Sequence, residues 1–252
     1  MIYIIASVLL NVLLFPVFNT VVFIESSLHK TFSKPHIAIS NQTNHAPVVK
    51  IETPANKSTY AWNTTISYSI SVSDKEDGES QYQEISPNEV FLQVNYVPAA
   101  TASAKQIVKA DPPGLTVLKT SNCFNCHTVH TKSIGPSFSE ISKRYTFSKP
   151  HIDLLAKRIT NGSTGVWGAT AMPSHPELSN EKVQQVVQWI LKNGAQPDLN
   201  IYRGVEGSFR LASPATKQKG SYVLTASYID HGLPDHPEQR LKGQAVILIQ
   251  GK

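Results

Sequence analysis

The sequence predicts a multidomain chain: a small all-α unit in the middle, β segments flanking it, and a hydrophobic helix at the N-terminus. Three patterns predict this. Residues 2–24 are mostly apolar. Residues 46–97 and 202–250 contain runs that alternate apolar and polar side chains, the period of a half-buried strand. Residues 111–194 carry apolar side chains at helical spacing, divided by Asn-Gly stops.

The stretch IYIIASVLLNVLLFPVFNTVVFI at 2–24 is long enough to span a bilayer, which takes about 20 apolar residues. Asn11, Pro16, Asn19 and Thr20 interrupt it, no Lys or Arg precedes it, and no small-residue cleavage site follows. Residues 1–24 therefore read as an uncleaved membrane anchor or a degenerate signal. Residues 25–45, rich in Ser, His, Asn and Thr, read as a tether. The heptapeptide TFSKPHI occurs at 31–37 and again at 146–152; its surroundings do not match, so no domain repeat follows from it.

Residues 46–97 read as a β module. Ile66, Tyr68, Ile70 and Val72 alternate with polar neighbours, and NEVFLQVNYV does the same after Pro87. Asp74, Glu76 and Asp77 could gather oxygen ligands for calcium; a solvated acidic turn before Gly78 is the plainer reading. Residues 98–110 form a linker. Residues 196–252 form a β-rich C-terminal segment with strands in GSYVLTASYID and QAVILIQ.

The central unit divides into helices at recognisable signals. Asp111 is placed to cap a first helix with Pro112 at its first position, and Leu115 and Leu118 lie inside it. A short helix holds Phe138, Ile141 and Tyr145. Ile152, Leu155, Ala156 and Ile159 follow at i, i+3, i+4, i+7, and Asn161-Gly162 stops that helix. The last begins at Ser179, with Leu178 and Val183 placed as a hydrophobic staple. Val183, Val186, Val187, Ile190 and Leu191 form its apolar stripe, and Asn193-Gly194 ends it.

Both cysteines of the chain lie in SNCFNCHTVH at 121–130. The spacing Cys123-x-x-Cys126-His127 reads as covalent haem attachment, with two thioether bonds and an axial imidazole. A thioredoxin-like pair would want a βαβ context. A structural zinc site would want further ligands from the nine histidines. A disulfide would close a very short loop, where its stabilisation is least. A sixth ligand to iron is expected from Met172, the only methionine besides Met1. It lies in NGSTGVWGATAMPSHP, where three glycines and two prolines let the chain swing around a flat cofactor. His175 is the runner-up, with His130 and His151 behind it.

The order and spacing of CFNCH, KSIGPSF, ISKRY, LLAKRITNGSTGVWG, AMPSH and WILKNG resemble class I cytochromes c of the small bacterial type. The resemblance implies a cytochrome c domain over 111–195 carrying one haem c. It implies that Pro136 gives its carbonyl to His127, and that Trp167, within the element Gly165, Trp167, Gly168, neighbours a haem propionate. Residues 46–97 resemble immunoglobulin-like modules of the polycystic-kidney-disease type, on NHAPVV and VSDKEDGE. The C-terminal segment resembles the β region following the cytochrome in large exported Bacteroidetes-type proteins, which also carry a sugar-dehydrogenase-like module absent from this sequence.

Charge is unevenly spread. Residues 45–98 hold three Lys against seven acids, net −4, whereas 112–194 hold nine Lys or Arg against four acids, net +5. A basic unit of this kind suits steering toward an acidic redox partner. No basic helix run or recognition motif supports nucleic acid binding, and no aromatic platform argues for carbohydrate binding. The expectation is an electron carrier rather than an enzyme, in the periplasm or cell envelope, serving a dehydrogenase. The alternatives are a peroxidase-like haem enzyme with an open axial site and a non-redox structural module.

Overall fold

The computed structural model describes residues 43–98, 110–213 and 220–252. The expected N-terminal helix, nearly all of the tether and most of the linker lie outside the described residues. Among the described residues no helix is long and apolar enough to cross a membrane.

The β segments before and after the cysteine motif fold together. Strands β1 (Val48–Thr53), β2 (Thr59–Tyr60), β3 (Thr65–Asp74), β4 (Gly78–Glu79) and β5 (Phe91–Pro98) come from the first. Strands β6 (Asn200–Arg203), β7 (Glu206–Arg210), β8 (Gly220–Ile229) and β9 (Lys242–Gly251) come from the second. One sheet runs β1-β3-β4, with β7 also paired to β3; the other runs β2-β9-β8-β5-β6. The first strands alone are too few for a sandwich of about 100 residues; the C-terminal segment supplies the rest. The two segments, separate in the sequence reading, are thus one β sandwich, and the helical unit is inserted between neighbouring strands β5 and β6.

Alternation places the sandwich core. Ile66, Tyr68, Ile70 and Val72 of β3 are buried against Leu92 and Val94 of β5 and Leu224, Ala226 and Tyr228 of β8. Strand β5 is buried on its other face too, because Phe91 joins the core of the helical unit. The acidic turn is only partly solvated, with Lys75 and Glu76 exposed. Asp74 is buried, and its Oδ1 accepts the backbone N–H groups of Glu76 and Asp77. Asp77 Oδ2 accepts from the Tyr228 hydroxyl at 2.6 Å and from the His231 N–H at 3.0 Å. The Asp77 carboxylate ties the first β segment to the second.

The helical unit comprises α1 (Pro113–Thr120), α2 (Phe138–Arg144), α3 (Lys149–Asn161) and α4 (Asn180–Asn193). Ser137 and Glu140 form a reciprocal capping box at α2. Ser179 caps α4 by accepting from the Lys182 N–H, and Gly162, at φ 78°, ends α3. Burial of Val183 and Val187 on α4 stabilises by roughly 1.5–3 kcal/mol each. Gly114 of α1 lies so close to α4 that a Cβ there would meet the Gln185 carbonyl oxygen at 2.2 Å.

The expected cap at Asp111 does not form. Pro112 takes the cap position of α1 without any side-chain bond. The Asp111 carboxylate is captured instead by two ammonium groups, Lys119 Nζ at 2.9 Å and Lys242 Nζ at 2.9 Å, a stronger attraction than a backbone N–H offers. Gln93 of β5 also donates to it, so this buried cluster welds the insertion to the sandwich.

Candidate functional site

The Cys-x-x-Cys-His segment leaves α1 through Asn122, in the left-handed region at φ 58°, and turns through a short 3-10 helix, Cys123–Asn125. His127 N–H donates to the Cys123 carbonyl at 3.0 Å. The chain then loops back: Gly135 N–H donates to the Cys126 carbonyl at 2.8 Å, and the N–H groups of Phe138 and Ser139 donate to the carbonyls of Thr128 and Val129 at 2.9 Å. This closure brings Pro136 beside the imidazole, and His127 Nδ1 lies 2.6 Å from the Pro136 carbonyl oxygen.

A carbonyl only accepts, so Nδ1 carries the hydrogen and Nε2 is left with the lone pair. Burial pushes His127 below its ordinary pKa, against the opposing pull of the Pro136 carbonyl; the ring is the neutral, metal-binding form. Phe138 stacks on it at 5.7 Å and 18°. Gly135 is required here, because a Cβ at that position would meet His127 Cε1 at 2.5 Å.

His127 opens into a cavity enclosing about 1150 Å³ of space, part of it open to solvent, with mostly apolar walls. All six residues singled out in the sequence, Cys123, Cys126, His127, Pro136, Trp167 and Met172, line it. Met172 is set by backbone pairing with Ser163: Ser163 N–H donates to its carbonyl at 3.1 Å and Met172 N–H donates back at 2.8 Å. Of the alternative ligands, His175 also reaches the cavity, but its Nδ1 engages Glu177 at 2.9 Å. His130 turns away to the Leu199 carbonyl, and His151 to Thr146.

Both thiols are free. Burial pushes the Cys123 thiol up to about 12, the opposite of the depressed pKa that a reactive redox cysteine needs. Among the described residues no group of three or more His, Cys, Asp or Glu gathers as a metal site, so no zinc ligand set forms around the pair.

Sequence reasoning missed Arg158. It lines the cavity from α3 and donates to the Tyr145 hydroxyl at 2.6 Å. Trp167 is braced from outside, with the Arg144 guanidinium 4.6 Å over its ring. The signal for Arg158 was its place beside Ile159 and three residues after Leu155, on the apolar side of α3. Gly135, also missed, was visible as a glycine between the histidine and its proline.

A free imidazole Nε2, two unpaired thiols at haem-attachment spacing, and an apolar cavity with a thioether in its wall define a c-type haem domain. The family described as Cytochrome c matches residues 113–194. Over 73 residues the chain is 36% identical to cytochrome c-552 of Hydrogenobacter thermophilus, spanning 29% of this chain and 74% of that protein. Over 78 residues it is 36% identical to cytochrome c-551 of Ectopseudomonas mendocina, spanning 31% of this chain and 94% of that protein. The crystal structure of wild-type Nitrosomonas europaea cytochrome c552 matches at 35% identity and a TM-score of 0.30, covering 31% of this chain and 95% of that one. The chain belongs to the cytochrome c family, through its inserted helical unit, and carries covalently attached haem c.

Proposed function

We propose that the chain is a one-electron carrier whose haem is held by thioethers from Cys123 and Cys126, with His127 and Met172 as the two axial ligands. The observation that carries this reading is the 2.6 Å contact of His127 Nδ1 with the Pro136 carbonyl, which leaves Nε2 free and fixes the ring. The haem supplies an iron that cycles between two oxidation states. The chain's part is to hold that iron rigidly and dry, and to choose its axial donors. The thioether of Met172 favours the reduced state. Arg158 and Trp167, which line the cavity, would supply N–H donors for the cofactor's carboxylates.

The net +5 of residues 112–194 supports docking to an acidic redox partner, with a rate that falls as salt rises. Covalent haem attachment fits a periplasmic or cell-envelope setting, with a dehydrogenase as the electron source. The sandwich fits an immunoglobulin-like module that presents the carrier. A peroxidase-like reading would need an open axial position, and Met172 on the cavity wall argues for the carrier. The optical spectrum tests this. Oxidised wild type should show the weak long-wavelength band of methionine-ligated ferric haem, and Met172→Ala should lose it while keeping covalent haem. A wild type without that band contradicts the ligation.

A further inference from the structure

Three strands of the sandwich meet the helical insertion along a single row. Arg203 of β6 and Ser227 of β8 stand directly opposite Phe91 of β5 in the register, so their side chains share one face of the sheet. That face is turned away from the sandwich core, which takes Leu92, Val94 and Leu224. Every member of the row touches the insertion. The Arg203 guanidinium donates to Asn125 Oδ1. The Phe91 ring lies 5.2 Å from that of Phe124. Ser227 Oγ accepts from Lys119 Nζ at 3.1 Å, and the same ammonium lies 5.4 Å over the Phe91 ring.

Phe124 and Asn125 are the two residues between the cysteines, so the row grips the attachment loop itself. The contact continues inward. Phe124 meets Phe138 edge-on at 5.5 Å, and Phe138 stacks on His127 at 5.7 Å. The sheet is thereby connected to the imidazole through three packed rings.

We propose that the row Arg203, Phe91, Ser227 is a platform that positions His127, so that the sandwich sets the reduction potential of the haem site. The proposal rests on the haem reading above. Phe91 and Arg203 are positioning residues: they hold Phe124 and Asn125, and Phe124 packs on Phe138, which stacks on the His127 ring. Loosening them lets the attachment loop move and admits water to the cavity. Water stabilises the more highly charged, oxidised site, so the potential falls.

The test uses the full haem-loaded chain and the variants Phe91→Leu and Arg203→Gln. The control is Phe209→Leu, which perturbs a buried ring of the sandwich core away from the row. The midpoint potential and backbone hydrogen exchange over residues 122–128 are measured for each. The row variants should lower the potential and speed that exchange by about tenfold or more, while the control leaves both unchanged. Should Phe91→Leu fail to fold, Arg203→Gln, which is only half-buried, decides alone. Row variants with wild-type potential and exchange overturn the proposal, as does a control that shifts both readouts equally. A wild type without covalent haem overturns the parent reading, and this one with it.

Discussion

Because the helical unit is inserted between β5 and β6, the sandwich should depend on the haem. The Cys123→Ala/Cys126→Ala variant removes the attachment. Strands β5 and β6 pair from Phe91↔Arg203 to Val94↔Asn200, and all residues from 99 to 199 lie between them. With haem, residues 110–199 of that stretch are a folded unit. Without it, the cavity loses the group it encloses, and the insertion becomes a loop of roughly 100 residues. Closing such a loop costs about 4 kcal/mol by the logarithmic chain-entropy relation. Phe91 and Ile201, buried in the insertion's core, would be re-exposed at roughly 1.5–3 kcal/mol each. Domains are stable by only about 5–15 kcal/mol, so the loss is a large fraction of the whole. Hydrogen exchange of β8 amides reads it directly, since β8 is paired on both sides and reports opening of the sheet. Closure alone should reduce β8 protection by about a thousandfold, at 1.4 kcal/mol per decade. Protection within tenfold of the haem-loaded protein would refute the reasoning.

Further outcomes follow from other parts of the molecule. Asp111→Ala leaves the buried Lys119 ammonium without its carboxylate partner, and removing one member of a buried pair costs roughly 3–5 kcal/mol; chemical denaturation of the haem-loaded chain checks it. Burial pushes Lys119 down to about 8 even with Asp111 opposing. The folded state therefore binds fewer protons than the unfolded one above that pH, and this group's penalty on stability should lessen as pH rises toward 10.5. His231 has the reverse sign. Burial lowers its pKa, but its bonds to Glu89 and Asp77 raise it further, to a net value above 6.5. Its contribution is fully present below 6.5 and is lost as pH rises through the raised folded value; His231→Gln should remove that slope from the melting temperature's pH profile. Gly135→Ala forces a methyl group into the His127 ring. It should destabilise by roughly 1–3 kcal/mol and perturb the haem absorption bands.

The helical unit was legible because its signals are local. Ser179, Gly162 and the stripe on α4 each act within a few residues of themselves, and the six site residues belong to one short run of motifs. Asp111 misled for an equally physical reason. Its nearest backbone donors are close in sequence, but the charges that outbid them, Lys119 and Lys242, are brought in by the fold. The unity of the two β segments was hidden because alternation announces a strand without naming its partner. The pairing of β5 with β6 and β8 spans more than one hundred residues of sequence, and no local pattern encodes it. The contacts of Phe91 and Arg203 with the attachment loop were invisible on the same ground, since each looked like an ordinary strand residue.

The intact mass of the mature protein, produced in a host competent for cytochrome c maturation, tests the central claim most directly. The account predicts polypeptide plus one haem, retained after denaturation because two thioether bonds hold it at Cys123 and Cys126. A mass equal to the polypeptide alone, from material that shows no haem absorbance, would contradict it.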